Sequence, residues 1–181
     1  MVTAEELDHA ERFKRVWDAR RSGDLVTLRS ALVDPDHRGR AARYLGELDD
    51  TESIPAIRLL LDAADEDVRI DAAKALGLLK SAADVPRLFE LARHDPSPYV
   101  REWAIGAIGR IGQRKTVEPL IELLSDESWR VRGGAVLALA RIGDQRALEP
   151  VREAAHREKK WWCRYLYRKP LKALERGQPF E

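Results

Sequence analysis

The sequence VRIDAAKALG, residues 68–77, decides the fold because related copies of it recur along the chain. The other copies are HRGRAARYLG from His37, VREWAIGAIG from Val100 and VRGGAVLALA from Val131. Successive copies begin 31, 32 and 31 residues apart, which is a regular spacing for one structural unit. A proline follows each copy, at Pro55, Pro86, Pro119 and Pro150. The repeat therefore predicts an array of similar units.

Each copy has the pattern of an amphipathic helix. In the second repeat Val68, Ala72, Ala75, Leu76 and Leu79 recur at helical spacing, on one helical face. The alanines allow a neighbouring helix to approach closely. A second amphipathic helix is expected to begin near each proline, and neither helix can bury its apolar face alone. The pattern thus predicts an all-α fold in which helix pairs stack on one another as a solenoid.

The helix ends are predicted from capping residues. Gly112 and Gly143 come directly after the repeated helix in the last two units, where a left-handed residue ends a helix. Asp49 and Lys80 occupy that place in the first two units, so we expect different turns there. Good N-cap residues stand three positions before the copies, at Asp34, Asp65, Ser97 and Ser128.

These motifs resemble a known repeat family. The stretches VRIDAAKALG and DESWRVRGGAVLALARIGDQRALEP are similar to the HEAT-like repeats of the phycobilisome-lyase type, and the resemblance covers about residues 34–154. It implies a right-handed α-α superhelix of about five helix pairs. Because terminal repeats need a polar outer face, we expect N-terminal capping helices in residues 1–33 and a basic, aromatic C-terminal cap in residues 155–181. The resemblance also implies four HEAT-like repeats, at residues 34–64, 65–94, 95–125 and 126–154.

Composition excludes several classes of protein. Lys and Arg number 32 and Asp and Glu number 31, so overall charge gives no argument for nucleic-acid binding. The single cysteine, Cys163, excludes an internal disulfide and fits a reducing compartment. No apolar stretch approaches the roughly 20 residues that span a bilayer, and the acidic N-terminus is unlike a signal peptide. We expect a soluble, cytoplasmic monomer that does not bind membranes.

No constellation of residues predicts chemistry. The histidines His9, His37, His94 and His156 are scattered along the sequence. Only His156 and Cys163 are spaced to share a helical face, and two ligands do not make a zinc site. The glycines of GAIGRIG, residues 106–112, lie in a predicted repeat helix and not after a strand, so they do not form a phosphate loop. We therefore predict no enzyme, no catalytic residue, no cofactor and no metal site.

The resemblance implies that variable positions of the repeats line a concave face. We predict a non-catalytic scaffold that binds a protein partner, of unknown identity, on that face. Packing of Trp103 and Trp129 against neighbouring repeats is the alternative. The arginine after each repeated valine, at Arg69, Arg101 and Arg132, is instead expected to have a structural role, as is Arg38 at the same place in the first repeat. The predicted partner-binding residues are Arg43, Lys74, Tyr99, Trp103, Arg110, Trp129, Arg130, Leu137 and Arg141.

The segment KKWWCRYLYRK, residues 159–169, has two interpretations. In one it closes the array as a helix that buries Trp162, Tyr165 and Leu166 and breaks at Pro170. In the other it binds nucleic acid, since cations neutralise phosphates and aromatic rings stack on bases. A phycobilin-lyase-related enzyme subunit is a further alternative, implied by the resemblance alone. The candidate nucleic-acid-binding residues are Lys159, Lys160, Trp161, Arg164, Arg168 and Lys169.

Overall fold

The computed structural model describes residues 4–180, which contain eleven α-helices and no β-strand. This confirms the all-α repeat class, with five successive helix pairs followed by one more helix. Among these residues no helix combines the length and the apolarity needed to cross a bilayer. The helices are α1 (Ala4–Ser22), α2 (Leu25–Ser30), α3 (Arg38–Glu47), α4 (Ile54–Leu59), α5 (Glu66–Leu78), α6 (Val85–His94), α7 (Pro98–Ile111), α8 (Val117–Glu122), α9 (Trp129–Ile142), α10 (Leu148–Arg157) and α11 (Trp161–Glu175). Short 3₁₀ turns adjoin them at Ala31–Val33, Thr51–Ser53, Leu60–Asp62, Ala82–Asp84, Arg114–Thr116, Leu123–Ser125 and Gln145–Ala147.

The chain divides into two compact units, Met1–Leu79 and Lys80–Glu181. In the first unit the repeated helices α3 and α5 pack side by side. Their backbones nearly touch, because a Cβ added at Gly46 would lie 2.8 Å from the Cα of Ala75. The sequence thus provides the close approach that its small residues predict. The fully buried apolar side chains of this unit include Leu28, Leu45, Ile57, Leu61 and Leu76.

In the second unit α7, α9 and α11 form one layer, since α9 packs between the other two. The helices α6, α8 and α10 pack against this layer, on α7, α9 and α11 respectively. A Cβ added at Gly109 would lie 2.7 Å from the Cα of Ala138, so α7 and α9 also meet backbone to backbone. The fully buried core includes Leu88, Ile105, Ile108, Leu120, Leu139 and Leu174.

Three of the four predicted N-caps are confirmed. Asp65, Ser97 and Ser128 directly precede α5, α7 and α9. The side chains of Asp65 and Ser128 accept hydrogen bonds from backbone amides in the first turns of their helices, whereas Ser97 holds the N-cap position without such a bond. The prediction that Asp34 starts a helix is wrong, because α3 begins at Arg38. The Asp34 carboxylate instead accepts the backbone amide of Asp36 and holds a turn ahead of α3.

The turns after the repeated helices share one backbone conformation. Gly112 and Gly143 have the predicted left-handed φ, 74° and 70°. The expectation of different turns at Asp49 and Lys80 is wrong, since their φ angles are 56° and 49°. A left-handed residue therefore follows each of the four repeated helices, whatever its side chain. At Lys80 the side chain adds a steric cost that glycine would avoid.

We therefore expect Lys80→Gly to raise the free energy of unfolding by about 0.5–1 kcal/mol. Glycine removes the strain of a left-handed φ from the folded state. This gain in free energy exceeds the stabilisation that the extra conformational entropy of glycine gives the unfolded chain. Urea unfolding followed by circular dichroism measures the change. The matched control is Gly112→Ala, which places a side chain at the same point of the next helix pair and is expected to destabilise. Equal or lower stability of Lys80→Gly would contradict the strain at this turn.

The repeated arginines have the predicted structural role. Nη1 of Arg69 donates to the carbonyl oxygen of Ala63 over 2.8 Å. Nη1 of Arg132 donates to the carbonyl oxygen of Asp126 over 2.9 Å. Nη1 of Arg101 donates to the carbonyl oxygen of Asp95 over 3.1 Å. These bonds satisfy backbone carbonyls in the turn ahead of each repeated helix.

The last helix differs from its prediction. α11 continues through Pro170 to Glu175, and the proline ring is buried. Because proline has no backbone N–H, the carbonyl of Leu166 loses its helical donor, and Leu166 lies on the exposed side of α11. The predicted burial of Tyr165 and Leu166 is wrong, because both are exposed. The buried stripe of α11 consists of Cys163, Tyr167, Pro170 and Leu174.

Candidate functional site

An exposed apolar surface lies on α7, α9 and α11 of the second unit. Its four large side chains are 46%, 41%, 43% and 58% exposed, in the order Tyr99, Trp103, Leu137 and Leu166. Tyr99, Trp103 and Leu137 were predicted from the sequence, and Leu166 was not. The three helices pack through their other faces, so helical geometry leaves these side chains toward solvent. We call them the apolar surface.

A cavity of about 250 Å³ opens beside the apolar surface, between α9 and α11. Gly133 leaves its floor open, since a Cβ there would lie 3.9 Å from the ring of Tyr167. Phe180 closes one side, held by a 3.0 Å hydrogen bond from its backbone amide to the carbonyl oxygen of Ala140. The lining is formed by Glu102, Trp129, Arg130, Gly133, Leu137, Cys163, Leu166, Tyr167, Lys169 and Phe180.

Trp129 and Arg130 belong to a stack of rings at the edge of this cavity. The indoles of Trp129 and Trp162 meet edge to face, with centroids 4.5 Å apart and planes at 83°. The Arg130 guanidinium lies 4.5 Å from the Trp129 ring and 4.2 Å from the Tyr99 ring. It also forms a 3.2 Å ion pair with Glu102. Trp129 is thus half-buried and rigidly placed, whereas Trp103 remains exposed.

Cations surround the apolar surface. Arg110 and Arg141 lie in the last turns of α7 and α9, and neither pairs with an acidic side chain among residues 4–180. The pKa of Arg141 is lowered by burial and by the positive charge of Arg110. This mutual repulsion would be relieved by an anionic ligand. Near Phe180 a second, more open depression of about 590 Å³ is lined by Lys169, Lys172, Ala173, Arg176, Gln178, Pro179 and Phe180.

Two of the predicted site residues lie in the first unit. The Arg43 guanidinium is 3.8 Å from Glu47 and 3.9 Å from Asp71, measured between the nearest nitrogen and oxygen. Nζ of Lys74 lies 3.6 Å from the same Asp71 carboxylate. Both cations are therefore compensated by acids on their own helices or the adjacent one. They contribute less free positive charge than Arg110 and Arg141.

The outer face of α11 carries the predicted basic and aromatic residues. Trp161 and Tyr165 are 73% and 64% exposed, and Arg168 lies 5.7 Å from the Tyr165 ring. Arg164 and Lys159 are also exposed. Lys160 turns toward the ring stack, 5.8 Å from Trp129, and Lys169 lines the cavity. The predicted group is therefore split, because Trp161, Arg164 and Arg168 are exposed on α11 whereas Lys160 and Lys169 lie at the ring stack and the cavity.

Cys163 is part of the cavity wall and is not a reactive thiol. Its side chain is buried and forms no disulfide. Burial raises the pKa of the thiol, and the nearby carboxylate of Glu158 raises it further. A thiol with a raised pKa carries little thiolate near neutral pH.

Sequence reasoning missed several residues of this site. Gly133, Leu166, Lys172, Arg176 and Phe180 line the two depressions but lie outside the predicted set. The helical spacing of residues within α11 could have predicted Leu166 and Lys172 as members of this site. The position of Phe180 depends on how the terminal segment folds back over α9, which no local pattern reveals.

Comparisons with known proteins agree with the fold. A sequence model of HEAT repeats matches residues 25–105 and 85–169. Among solved structures, a designed armadillo repeat protein matches at TM-score 0.63 and 20% identity, covering 96% of this chain and 95% of that one. Another designed armadillo repeat protein, in complex with the peptide (KR)4, matches at TM-score 0.62 and 19% identity, covering 88% and 85%.

The complex of CpcE and CpcF of phycocyanin lyase from Nostoc sp. also matches. Its TM-score is 0.47 at 17% identity, over 96% of this chain and 91% of that chain. A score at this level supports no argument about what the present chain does. No curated protein matches the chain in sequence.

Proposed function

Because this chain belongs to the HEAT-repeat family, we propose that it is a non-catalytic binding module that holds a segment of a protein partner on α7, α9 and α11. The observation that supports this proposal is that four exposed apolar side chains lie beside a cavity of about 250 Å³. Large exposed apolar groups beside a pocket are typical of protein interfaces, where one anchor side chain supplies much of the affinity.

The cavity favours an aliphatic or aromatic anchor. Apart from Glu102, Arg130 and Lys169, its lining is apolar or aromatic. The ion pair between Glu102 and Arg130 compensates two of those three charges. An apolar side chain that enters the cavity would remove Leu137 and Leu166 from water without leaving a buried polar group unpaired. This chemistry is suited to binding and not to reaction.

The surrounding charges favour an acidic segment. Arg110 and Arg141 have no acidic partner among the described residues, and Lys169, Lys172 and Arg176 line the open depression. Acidic side chains that flank the apolar anchor would complement these cations and speed association. A designed armadillo protein of similar fold holds a peptide, which supports peptide binding by such a scaffold. That peptide is basic, whereas the cations of this surface call for the opposite sign.

The scaffold is suited to this role because the contact residues stand on helices. Tyr99, Trp103, Trp129 and Leu137 lie in α7 and α9, whose backbones meet at Gly109 and Ala138. Side chains on packed helices are already ordered, which reduces the entropy lost on binding. We leave Arg43 and Lys74 out of the proposed surface, since acids already compensate them.

A second candidate function is nucleic-acid binding by the outer face of α11. It is favoured by the exposed Trp161 and Tyr165 beside the exposed cations Arg164 and Arg168. Such a face would bind phosphates through its cations and stack bases on its rings. Its affinity would fall steeply with salt, and it would depend on Arg164 and Arg168 but not on Leu137.

Selection from a random peptide library tests the proposed function. We expect the wild-type chain to enrich peptides that combine acidic residues with a large apolar residue. Leu137→Glu, which places a carboxylate beside the cavity, is expected to weaken binding of a selected peptide at least tenfold, or about 1.4 kcal/mol. The matched control is Leu59→Glu, at an exposed leucine of α4.

Three outcomes would contradict the proposal. They are a failure to enrich any peptide, enrichment of basic peptides, and equal binding by wild type and Leu137→Glu. Nucleic acid retained at low salt by Leu137→Glu, and lost by Arg164→Ala with Arg168→Ala, would favour the second candidate instead.

A further inference from the structure

Two histidines that are distant in sequence lie together in the first unit. His9 is on α1, and His37 directly precedes α3. Their ring centroids are 5.0 Å apart, with the planes at 47°. The carboxylate of Asp36 lies beside them, and its Oδ2 is 3.6 Å from Nδ1 of His9. One potential ligand atom from each of these residues lies within 4.8 Å of the other two.

The His37 ring is fully buried. Its Nε2 has no hydrogen-bond partner within residues 4–180, and its Nδ1 faces the Asp34 carboxylate. Buried polar atoms are normally paired, so an unpaired imidazole nitrogen suggests that a ligand is bound there. Oδ2 of Asp34 lies 3.4 Å from Nδ1 of His37. Metal-binding histidines characteristically have a carboxylate facing the nitrogen that does not bind the metal.

The donor set indicates which cation would fit. Two imidazoles and one carboxylate suit Zn²⁺ and related divalent transition metals, whereas Ca²⁺ and Mg²⁺ prefer oxygen ligands alone. In a tetrahedral site with bonds of about 2.0–2.1 Å, ligand atoms lie about 3.4 Å apart. His9 and Asp36 are exposed, so small side-chain rotations can close the observed separation.

The neighbouring charge of Arg12 does not exclude a cation. Its nitrogens lie 3.0 Å from Asp8, 3.1 Å from Asp34 and 3.3 Å from Asp36. Three carboxylates therefore surround one guanidinium, and the excess negative charge favours a further positive charge. Arg12 is closer to Asp34 than to Asp36, which leaves Asp36 the freer carboxylate.

We propose that His9, Asp36 and His37 bind one divalent transition-metal ion of the Zn²⁺ class, with Asp34 orienting the His37 ring. The ion would join α1 to the turn ahead of α3. This site lies in the first unit, and its proposal is independent of the surface on α7, α9 and α11.

Titration of the full chain with Co²⁺ tests the site, because Co²⁺ absorbs visible light with a signature of tetrahedral coordination. We expect one Co²⁺ per chain, displaced by Zn²⁺. His9→Ala and Asp36→Asn change exposed side chains, so both should keep the wild-type circular dichroism spectrum. Each is expected to weaken Co²⁺ binding at least tenfold. The matched controls are His94→Ala and His156→Ala, at exposed histidines of the second unit.

The proposal stands only if both site variants weaken binding and both controls bind as wild type. Absence of a tetrahedral Co²⁺ spectrum would overturn it. Binding that survives either site variant, or that is lost in either control, would also overturn it, because the ion would then lie elsewhere.

Discussion

The Glu158→Ala variant is expected to unfold more easily than the wild type, by about 3–5 kcal/mol. The side chain of Glu158 is 1% exposed and forms a 2.8 Å ion pair with Arg132 on α9. Its other oxygen accepts the backbone amide of Lys160 over 3.0 Å, at the start of α11. Removal of the carboxylate leaves the mostly buried Arg132 charge without its partner. It also removes the acceptor of the Lys160 amide at the start of α11.

Urea unfolding followed by tryptophan fluorescence measures this loss, because Trp129 and Trp162 pack between the same two helices. Glu153→Ala, at an exposed glutamate of α10, is the matched control and should change stability by less than about 0.5 kcal/mol. Similar stabilities of the two variants would mean that Glu158 does not fix α11 to α9.

The Glu158 carboxylate is also expected to make the free energy of unfolding depend on pH. Burial raises the pKa of Glu158, but hydrogen bonds from the Lys160 amide and from Arg132 outweigh it, so the net pKa is lowered from its ordinary 4.5. A carboxyl with a lowered folded-state pKa stabilises the protein above its unfolded-state pKa, and this contribution disappears as the pH falls. The difference in stability between wild type and Glu158→Gln should therefore shrink as the pH falls below 4.5.

The second large effect is expected at the contact between α7 and α9. Gly109→Ala should destabilise the protein by about 1–3 kcal/mol, because a Cβ at Gly109 would lie 2.7 Å from the Cα and 2.8 Å from the Cβ of Ala138. Neither neighbour is the flexible end of a side chain, so the two helices must move apart. The free-energy cost of that displacement exceeds the gain of about 1 kcal/mol in helix propensity that alanine gives.

Gly106→Ala makes the identical change three residues earlier on the same helix. A Cβ at Gly106 would meet no atom within 4 Å, so the helix-propensity gain remains. We expect this variant to be more stable by about 0.5–1 kcal/mol. Opposite signs for the two variants in thermal or urea unfolding would support the packing. The same sign for both would contradict the close approach of α7 to α9.

Much of the fold was predictable because its determinants are local. The repeated apolar spacing and the caps Asp65 and Ser128 determine helices through contacts within one turn. Asp34 was misassigned because its carboxylate is bound by Arg12, which is distant in sequence. The continuation of α11 through Pro170 likewise depends on burial of the proline ring within the folded unit.

The candidate site was less predictable because its geometry depends on contacts between residues that are distant in sequence. Repeat positions predicted Tyr99, Trp103 and Leu137, because the face that a helical residue occupies follows from the period. The cavity depends on how far α11 lies from α9 and on where Phe180 folds back. His9 and His37 meet because α1 lies beside the turn ahead of α3, and no spacing along the chain indicates that.

The position of a bound peptide tests the central claim most directly. The measurement is an amide and methyl NMR titration of the isotope-labelled chain with a peptide selected by the wild type. We predict that the largest shifts fall on Tyr99, Trp103, Leu137 and Leu166 and on the cavity lining, and that Leu137→Glu abolishes them. Shifts confined to the first unit or to the outer face of α11 at Trp161 and Tyr165 would contradict the proposed surface.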